Sequence, residues 1–351
     1  MRKLASIAQI THIKPIEGAD AIECAIVNDG WPVVVKKGEY QVNDLAVYLE
    51  IDSWVPHELA PFLSKGQYPR VYNGVEGERL KTVKLRGQIS QGLLLPLSTL
   101  YDNQKQWTTV GEDVTEVLGI QKWEPNIPAQ LQGTMKGQFP SYIPKTDQER
   151  CQNLRKEIFE EHKDETFEVT IKLDGSSMTV FVDNEGELCV CSRNINLKET
   201  EDNSFWKAAR AQKLDLFLNK CYEYGNQYAI QGELIGEGIQ GNPEKIQGQR
   251  FYLFDVYFIN EGRYLSPWER TQFVEHMQQI GSDVEHVPVI STTFNPIKSL
   301  MKPTIEQLVA DAEGPSMNPQ TTREGLVFKS NESDFTFKAI SNKYLLKHGD
   351  R

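Results

Sequence analysis

Apolar positions in residues 1 to about 115 come in short runs, at 4–10, 21–27, 32–35, 45–51, 80–85 and 92–97, divided by turn signals such as Asn28-Asp29-Gly30 and Lys36-Lys37-Gly38. Runs of this length and spacing, with no long helical period, predict a small β-barrel or sandwich. The stretch from Arg79 to Gly92 alternates, which sets Lys84 and Arg86 on one face of a strand and Val83 and Leu85 on the other. A plain solvated face and a phosphate-contacting face both account for that alternation. The pattern then lapses. Residues 116–146 hold Pro125, Pro128, Pro140 and Pro144 with Gly133 and Gly137, which predicts a linker between a domain of residues 1–115 and one of residues 147–351.

The second domain mixes periods. A short helix is expected from Thr146 or Asp147, carrying Arg150, and then a β-branched strand from Phe167 to Lys172. Period two puts Lys172 and Asp174 on one side before Gly175 breaks the strand. A strand ending at Ser192-Arg193 follows, then a helix over 204–222 with an apolar face of Phe205, Ala209, Leu216 and Phe217. Strands are expected at 227–235, carrying Glu233, and at 250–258, which is unusually aromatic and includes Phe254. Ser266, Pro267 and Glu269 form a capping box that opens a helix over 267–280, and Thr304 with Gln307 opens a shorter one. Strands at 324–329 and 335–338 close the pattern, giving an α+β chain.

Composition narrows the function classes. At 351 residues, two domains are expected, and 39% apolar with 25% charged residues describes a soluble globular protein. No run reaches the length of a membrane span and Met1-Arg2-Lys3-Leu4 opens no signal-peptide core, so a cytoplasmic location and a monomer are expected. Five scattered cysteines suit free thiols in a reducing compartment; Cys189 and Cys191 share a strand face, but no histidine or cysteine partners follow at zinc spacing. Residues 1–125 carry 13 basic and 16 acidic side chains and residues 126–351 carry 25 and 33, for a net charge of −11. A polyanion could therefore be held only through local patches and metal ions, with strong salt dependence.

Lys172, Asp174, Arg193, Glu233, Glu324, Lys329 and Lys338 all fall on or at the ends of expected strands. Cations with carboxylates that hold Mg²⁺ suit phosphoryl or nucleotidyl transfer, where they neutralise triphosphate charge. A lysine nucleophile must be neutral, so its pKa must fall from about 10.4, and neighbouring cations such as Lys329, Lys338 and a metal would achieve that by repulsion. Each residue also has a bland reading: Glu233 as an exposed residue, Lys329 and Lys338 as solvated strand ends, Phe254 as core, Arg150 as surface.

In chain order, Lys172-Leu173-Asp174-Gly175, Ser192-Arg193, Gly232-Glu233, Phe254-Asp255, Glu324-Gly325-Leu326-Val327-Phe328-Lys329 and a last strand with Lys338 resemble the covalent nucleotidyltransferase superfamily of DNA ligases, RNA ligases and capping enzymes over residues 147–345. The resemblance implies an antiparallel adenylyltransferase domain, ATP-grasp-like, with Lys172 as the adenylated nucleophile. It also implies that Asp174 and Arg193 contact the ribose region or the 3′-OH strand, and that Glu233, Glu324 and Asp174 serve the metal. Phe254 and Val327 would sandwich the purine, Gly175 would lie beside the nucleotide, and Lys329 and Lys338 would hold the α-phosphate, with Lys343 a rival to Lys338. The segment from Asp147 to Asn153 resembles one that brings an arginine, here Arg150, to the nucleotide phosphates.

Three features choose within the superfamily. DNA ligases and capping enzymes usually have Arg at the position of Ser177, and they carry an OB domain after the last motif, whereas this sequence ends 13 residues past Lys338. The β-rich segment stands in front, as in ATP-dependent RNA ligases with an N-terminal OB domain and no C-terminal one. Some RNA ligases have Asn where Ser177 stands. The resemblance thus implies an ATP-dependent RNA ligase using Mg²⁺ or Mn²⁺, joining RNA 3′-OH and 5′-phosphate ends through lysyl-AMP in nick sealing or RNA repair. DNA ligase, GTP-dependent capping enzyme and non-catalytic nucleic-acid-binding relative are the alternatives.

Overall fold

A computed structural model describes residues 3–100, 107–124 and 133–348, so Pro125 and Pro128 of the expected linker lie outside the described residues. The chain forms two compact units, one of residues 1–126, 151–155 and 342–351 and the other of residues 127–150 and 156–341. Packing thus gathers three pieces of chain into the first unit, where the sequence pattern sets a linker at 116–146 and an uninterrupted domain from 147.

The first unit contains β1 (Ala5–Pro15), β2 (Ile22–Val27), β3 (Trp31–Lys36), β4 (Leu45–Leu49), β5 (Ser53–Pro56), β6 (Arg70–Tyr72), β7 (Val75–Arg79), β8 (Val83–Leu85), β9 (Gln88–Ser90), β10 (Leu93–Pro96) and β11 (Gln121–Lys122). Five strands form a sheet in the order β10-β4-β1-β2-β3, and β11-β5-β7-β6 form a second. Ile7, Val47 and Leu95 fill one core while Ile10, Trp31 and Tyr48 fill another. β1 and β4 are thus buried on both sides, which is why their apolar runs lack strict alternation. Gln91 N donates to Pro32 O at 2.7 Å, drawing the β10 side of the sheet round towards β3 in a curled, barrel-like form.

The second unit contains β12 (Met135–Gln138), β13 (Glu149–Arg150), β14 (Phe167–Lys172), β15 (Ser176–Val182), β16 (Leu188–Ser192), β17 (Ile195–Leu197), β18 (Tyr228–Gly236), β19 (Gln249–Phe258), β20 (Arg263–Tyr264), β21 (Glu285–His286), β22 (Val289–Phe294), β23 (Gly325–Ser330) and β24 (Thr336–Ile340). A large sheet runs β12-β17-β16-β15-β18-β19-β20 and a five-stranded sheet runs β13-β24-β23-β14-β22. Helix Pro267–Gln279 has its expected capping box, and Thr304 caps helix Ile305–Asp311. The helix expected over 204–222 is two, Ser204–Ala211 and Asp215–Glu223, parted near Lys213, whose φ of 51° is left-handed.

The helix expected from residue 147 is absent: Glu149 and Arg150 pair in parallel with Phe337 and Lys338, followed by a 3₁₀ turn at Cys151–Asn153 and a π turn at Glu157–Glu161. The open edge of β24 supplies backbone partners, and that pairing overrides the local helical signal. Behind the five-stranded sheet lies an aromatic layer. Phe328 stacks on Phe337 at 4.5 Å, and Phe167 meets Phe337 edge-on at 5.5 Å. All three are almost wholly buried, and each ring pair adds about 0.5–1.5 kcal/mol beyond area burial.

Candidate active site

Strand alternation delivers the opposite, polar face of that sheet. Across it Thr170 of β14 pairs with Val327 of β23, Val327 with Lys338 of β24, and Lys338 with Arg150 of β13. Paired residues project to one side, so Val327, Lys338 and Arg150 form a row, and Lys172, two residues along from Thr170, joins the same face. Four site residues that the sequence separates by up to 188 positions are therefore brought onto one surface. Arg150, expected on a helix, comes from the short strand and is buried. Lys343 belongs instead to helix Asn342–His348 of the first unit, which leaves the sheet position to Lys338.

Lys172 Nζ donates to Glu324 Oε2 at 2.7 Å, and both side chains are largely buried. Burial pulls the Lys172 ammonium down, but Glu324, Glu233 and Asp174 outweigh it and leave its pKa above the ordinary value. This reverses the expectation that neighbouring cations lower it. The lysine is poised by carboxylates, so losing its proton requires that their charge be taken up elsewhere. Burial, with Glu324 and Asp174 nearby, pushes the Glu233 carboxyl up to about 8 against the pull of Lys172.

Glu233 stands on β18 opposite Ser177 of β15, and Gly175 sits where a Cβ would meet Leu234 O at 2.4 Å. Gly175 is therefore required by close backbone approach, while its carbonyl accepts from Gln240 Nε2 at 3.3 Å. Gly325, beside Glu324, is under the same constraint: a Cβ there would meet Ala339 O at 2.2 Å.

Among the described residues, no three His, Cys, Asp or Glu side chains are grouped to hold a metal ion by themselves. The paired carboxylates beside Lys172 nonetheless suit Mg²⁺ or Mn²⁺. Such ions take one or two carboxylates and complete their shell with phosphate oxygens and water. Burial first, and then Glu324 and Asp174, raise the Glu233 pKa, and a divalent cation would favour its anion against all three.

Two expected partners sit differently. Lys329 is buried, with Nζ 2.7 Å from Asp255 Oδ2 and donating to Phe254 O. Burial, countered by Asp255 and reinforced by Arg270, lowers its pKa to about 8. Arg270 in turn pairs with Glu168 and donates from Nε to His286 Nε2 at 3.0 Å. These contacts tie Lys329 to Asp255 and the Phe254 backbone, away from the role of a solvated phosphate ligand. Phe254 is the extra residue of a β-bulge, since Gln231 faces Asp255 while Gly232 faces Leu253. The bulge re-aims its ring, which packs on a cluster of Ile171, Leu173, Ile235, Tyr252 and Val287.

Arg193, in the turn after β16, pairs with Asp147 at 2.9 Å, both about half exposed. Sequence reasoning singled out neither Glu168 nor Arg270. Glu168 was accessible to it, because period two in Phe167–Lys172 puts that glutamate on the face of Lys172.

Comparison with known proteins agrees with this geometry. A family model described as RNA ligase matches residues 165–344, and one described as an OB-fold domain matches residues 4–97. No curated protein matches the chain. Among solved structures, a variant of the Naegleria gruberi RNA ligase with AMP and Mn is 48% identical, with 99% of each chain covered and a TM-score of 0.86. A variant of the same ligase with ATP and Mn has the same identity, coverage and score. The ligase with PPi superposes with a TM-score of 0.85 at 48% identity over 99% of each chain. With a lysine-centred sheet face in one unit, an OB-fold match earlier in the sequence and near-complete coverage at this identity, the chain belongs to the RNA ligase family.

Proposed function

We propose that Lys172 is the nucleophile with which this ATP-dependent RNA ligase takes AMP from ATP. The observation that carries the assignment is the shared sheet face, on which Lys172 lies beside Glu324 with Val327, Lys338 and Arg150 in the adjoining row. Lys172 Nζ attacks the α-phosphorus, the phosphoramidate bond forms and pyrophosphate leaves. AMP then passes to the 5′-phosphate of an RNA end, and a 3′-OH displaces AMP to close the phosphodiester. Glu233, Glu324 and Asp174 would hold the divalent cation, which supplies charge neutralisation at the phosphates when bound. Its charge would also relieve the carboxylates that keep Lys172 protonated.

Lys338 and Arg150 hold phosphate oxygens, Phe254 and Val327 flank the base, and Arg193 with Asp174 serves the sugar side. Lys329 acts by holding the Phe254 backbone and Asp255. The substrate is an RNA end within a nicked duplex, the enzyme works in repair as a monomer, and its location is cytoplasmic. Among the described residues, no helix is long and apolar enough to cross a membrane. The test is mass spectrometry after incubation with ATP and Mg²⁺ or Mn²⁺. The chain should gain one AMP, Lys172→Ala should gain none, and GTP should label neither; an adduct persisting in the variant would overturn the assignment.

A further inference from the structure

Two loops of the second unit bear on the Lys172–Glu324 pair. One, residues 237–248, continues from the strand of Glu233, and its Gln240 Nε2 donates to Gly175 O at 3.3 Å. The other, residues 312–323, runs from helix Ile305–Asp311 directly into Glu324. The first loop is held in a conformation that its residues disfavour. Gln240, Asn242 and Lys245 have left-handed φ angles of 47°, 50° and 54°. Side chains other than glycine carry strain there, and it persists only where surrounding contacts over-determine the backbone. The second loop supplies such contacts.

Glu244, only 8% exposed, accepts from Ser316 Oγ through Oε1 and from Asn318 N through Oε2, the latter at 2.7 Å. Beside it Pro243 O accepts from Thr321 Oγ1 at 2.8 Å and from Asn318 Nδ2 at 3.0 Å. The second loop is folded back on itself, with Ser316 N donating to Thr321 O at 2.8 Å and Arg323 N to Gly314 O at 3.0 Å. The Arg323 guanidinium then donates to the carbonyls of Asp311, Ala312 and Glu313, which fixes the residue before Glu324. Ile246 of one loop and Met317 of the other pack on the apolar cluster that includes Leu173, the neighbour of Lys172. Glu244 thus links the segment that follows Glu233 to the segment that ends at Glu324.

We propose that Glu244 is a positioning residue for adenylylation: by clasping residues 316–318 it sets the register of the loop that presents Glu324 to Lys172. The proposal rests on the assignment of Lys172 as the nucleophile. A carboxylate buried to this depth must have its oxygens satisfied, and each of them takes a donor from the second loop. Without it, a backbone N–H and a hydroxyl of that loop lose their acceptor. Ile246 and Met317 keep the loops against the cluster, while the carboxylate decides where along the chain they meet.

The test compares the full chain with Glu244→Ala and Glu244→Gln. It reads the single-turnover rate of AMP adduct formation against ATP concentration in excess Mg²⁺, and backbone hydrogen exchange by mass spectrometry. In Glu244→Ala the maximal rate should fall about tenfold or more, as when a group that orients a metal-site carboxylate is lost. The half-saturating ATP concentration should change little, because the apolar anchors remain. Exchange should rise in residues 237–248 and 312–323 together and stay parental elsewhere. Glu244→Gln keeps both contacts, its carbonyl accepting from Asn318 N and its amide donating to Ser316 Oγ, and should restore most of the rate. A parental rate in Glu244→Ala overturns the proposal. So does a glutamine variant as slow as the alanine one, or a slowed alanine variant whose exchange rises evenly across the second unit. A parent chain that forms no adduct with ATP would instead overturn the Lys172 assignment, and this one with it, while leaving the coupled exchange of the two loops in place.

Discussion

At the scale of single residues, Glu233 is a carboxyl that the fold disfavours as an anion. Its carboxyl titrates near 8, against 4.5 for an ordinary glutamate, because burial and two like charges disfavour the anion. Between those values the folded chain keeps a proton that the unfolded chain has lost, so stability falls as pH rises through the window and levels off above it. Glu233→Gln stays neutral throughout. In metal-free protein its melting temperature should gain on the parent's from pH 5 to 8 and hold a constant lead beyond about 8.5, while adduct formation collapses. Thermal melts across pH check this, and a lead that shrinks with rising pH would refute it. The conflict between stability and activity at one carboxylate is common at sites that hold metals.

At the scale of elements, the polar face works because its back is rigid. Phe167, Phe328 and Phe337 alternate with Glu168, Lys329 and Lys338, so one strand pattern sets both the aromatic layer and the site. Phe337→Ala should cost about 3–5 kcal/mol of stability by urea unfolding and also reduce adduct formation, though the residue faces away from Lys172. An unchanged midpoint would remove the aromatic layer from the account. Much of this was legible in the sequence. Period two placed the strands of Lys172, Lys329 and Lys338 correctly, and the capping box at Ser266 gave the long helix its start. Arg150 was misplaced because its strand exists only through pairing with residues near the other end of the domain. The bulge at Phe254 was hidden because register is a property of two strands, while the sequence offers one at a time. The sign of the Lys172 shift was missed because the nearest charges are carboxylates from three different strands and turns.

At the scale of the whole molecule, net charge and strand order set the working conditions. A chain of net charge −11 gains little general attraction to RNA, so its hold on substrate depends on a few cations and on the divalent metal. The strand order has a consequence for timing. In β13-β24-β23-β14-β22, the strand of Lys172 lies between β22 and β23, yet Arg150 can join the face only after β24, the final strand, has been made. At 5–20 residues per second a ribosome produces Lys338 about 10 to 30 s after Lys172. Throughout that interval the nucleophile exists without its sheet. A chain stopped after Ser330 should therefore form no AMP adduct despite carrying the lysine, the glutamates and strands β1–β11 of the first unit, and labelling with ATP checks this directly. An adduct at the parental level would show that β24 is dispensable. With no adduct, adenylylation would wait for the completed sheet, and unfinished chains would consume no ATP.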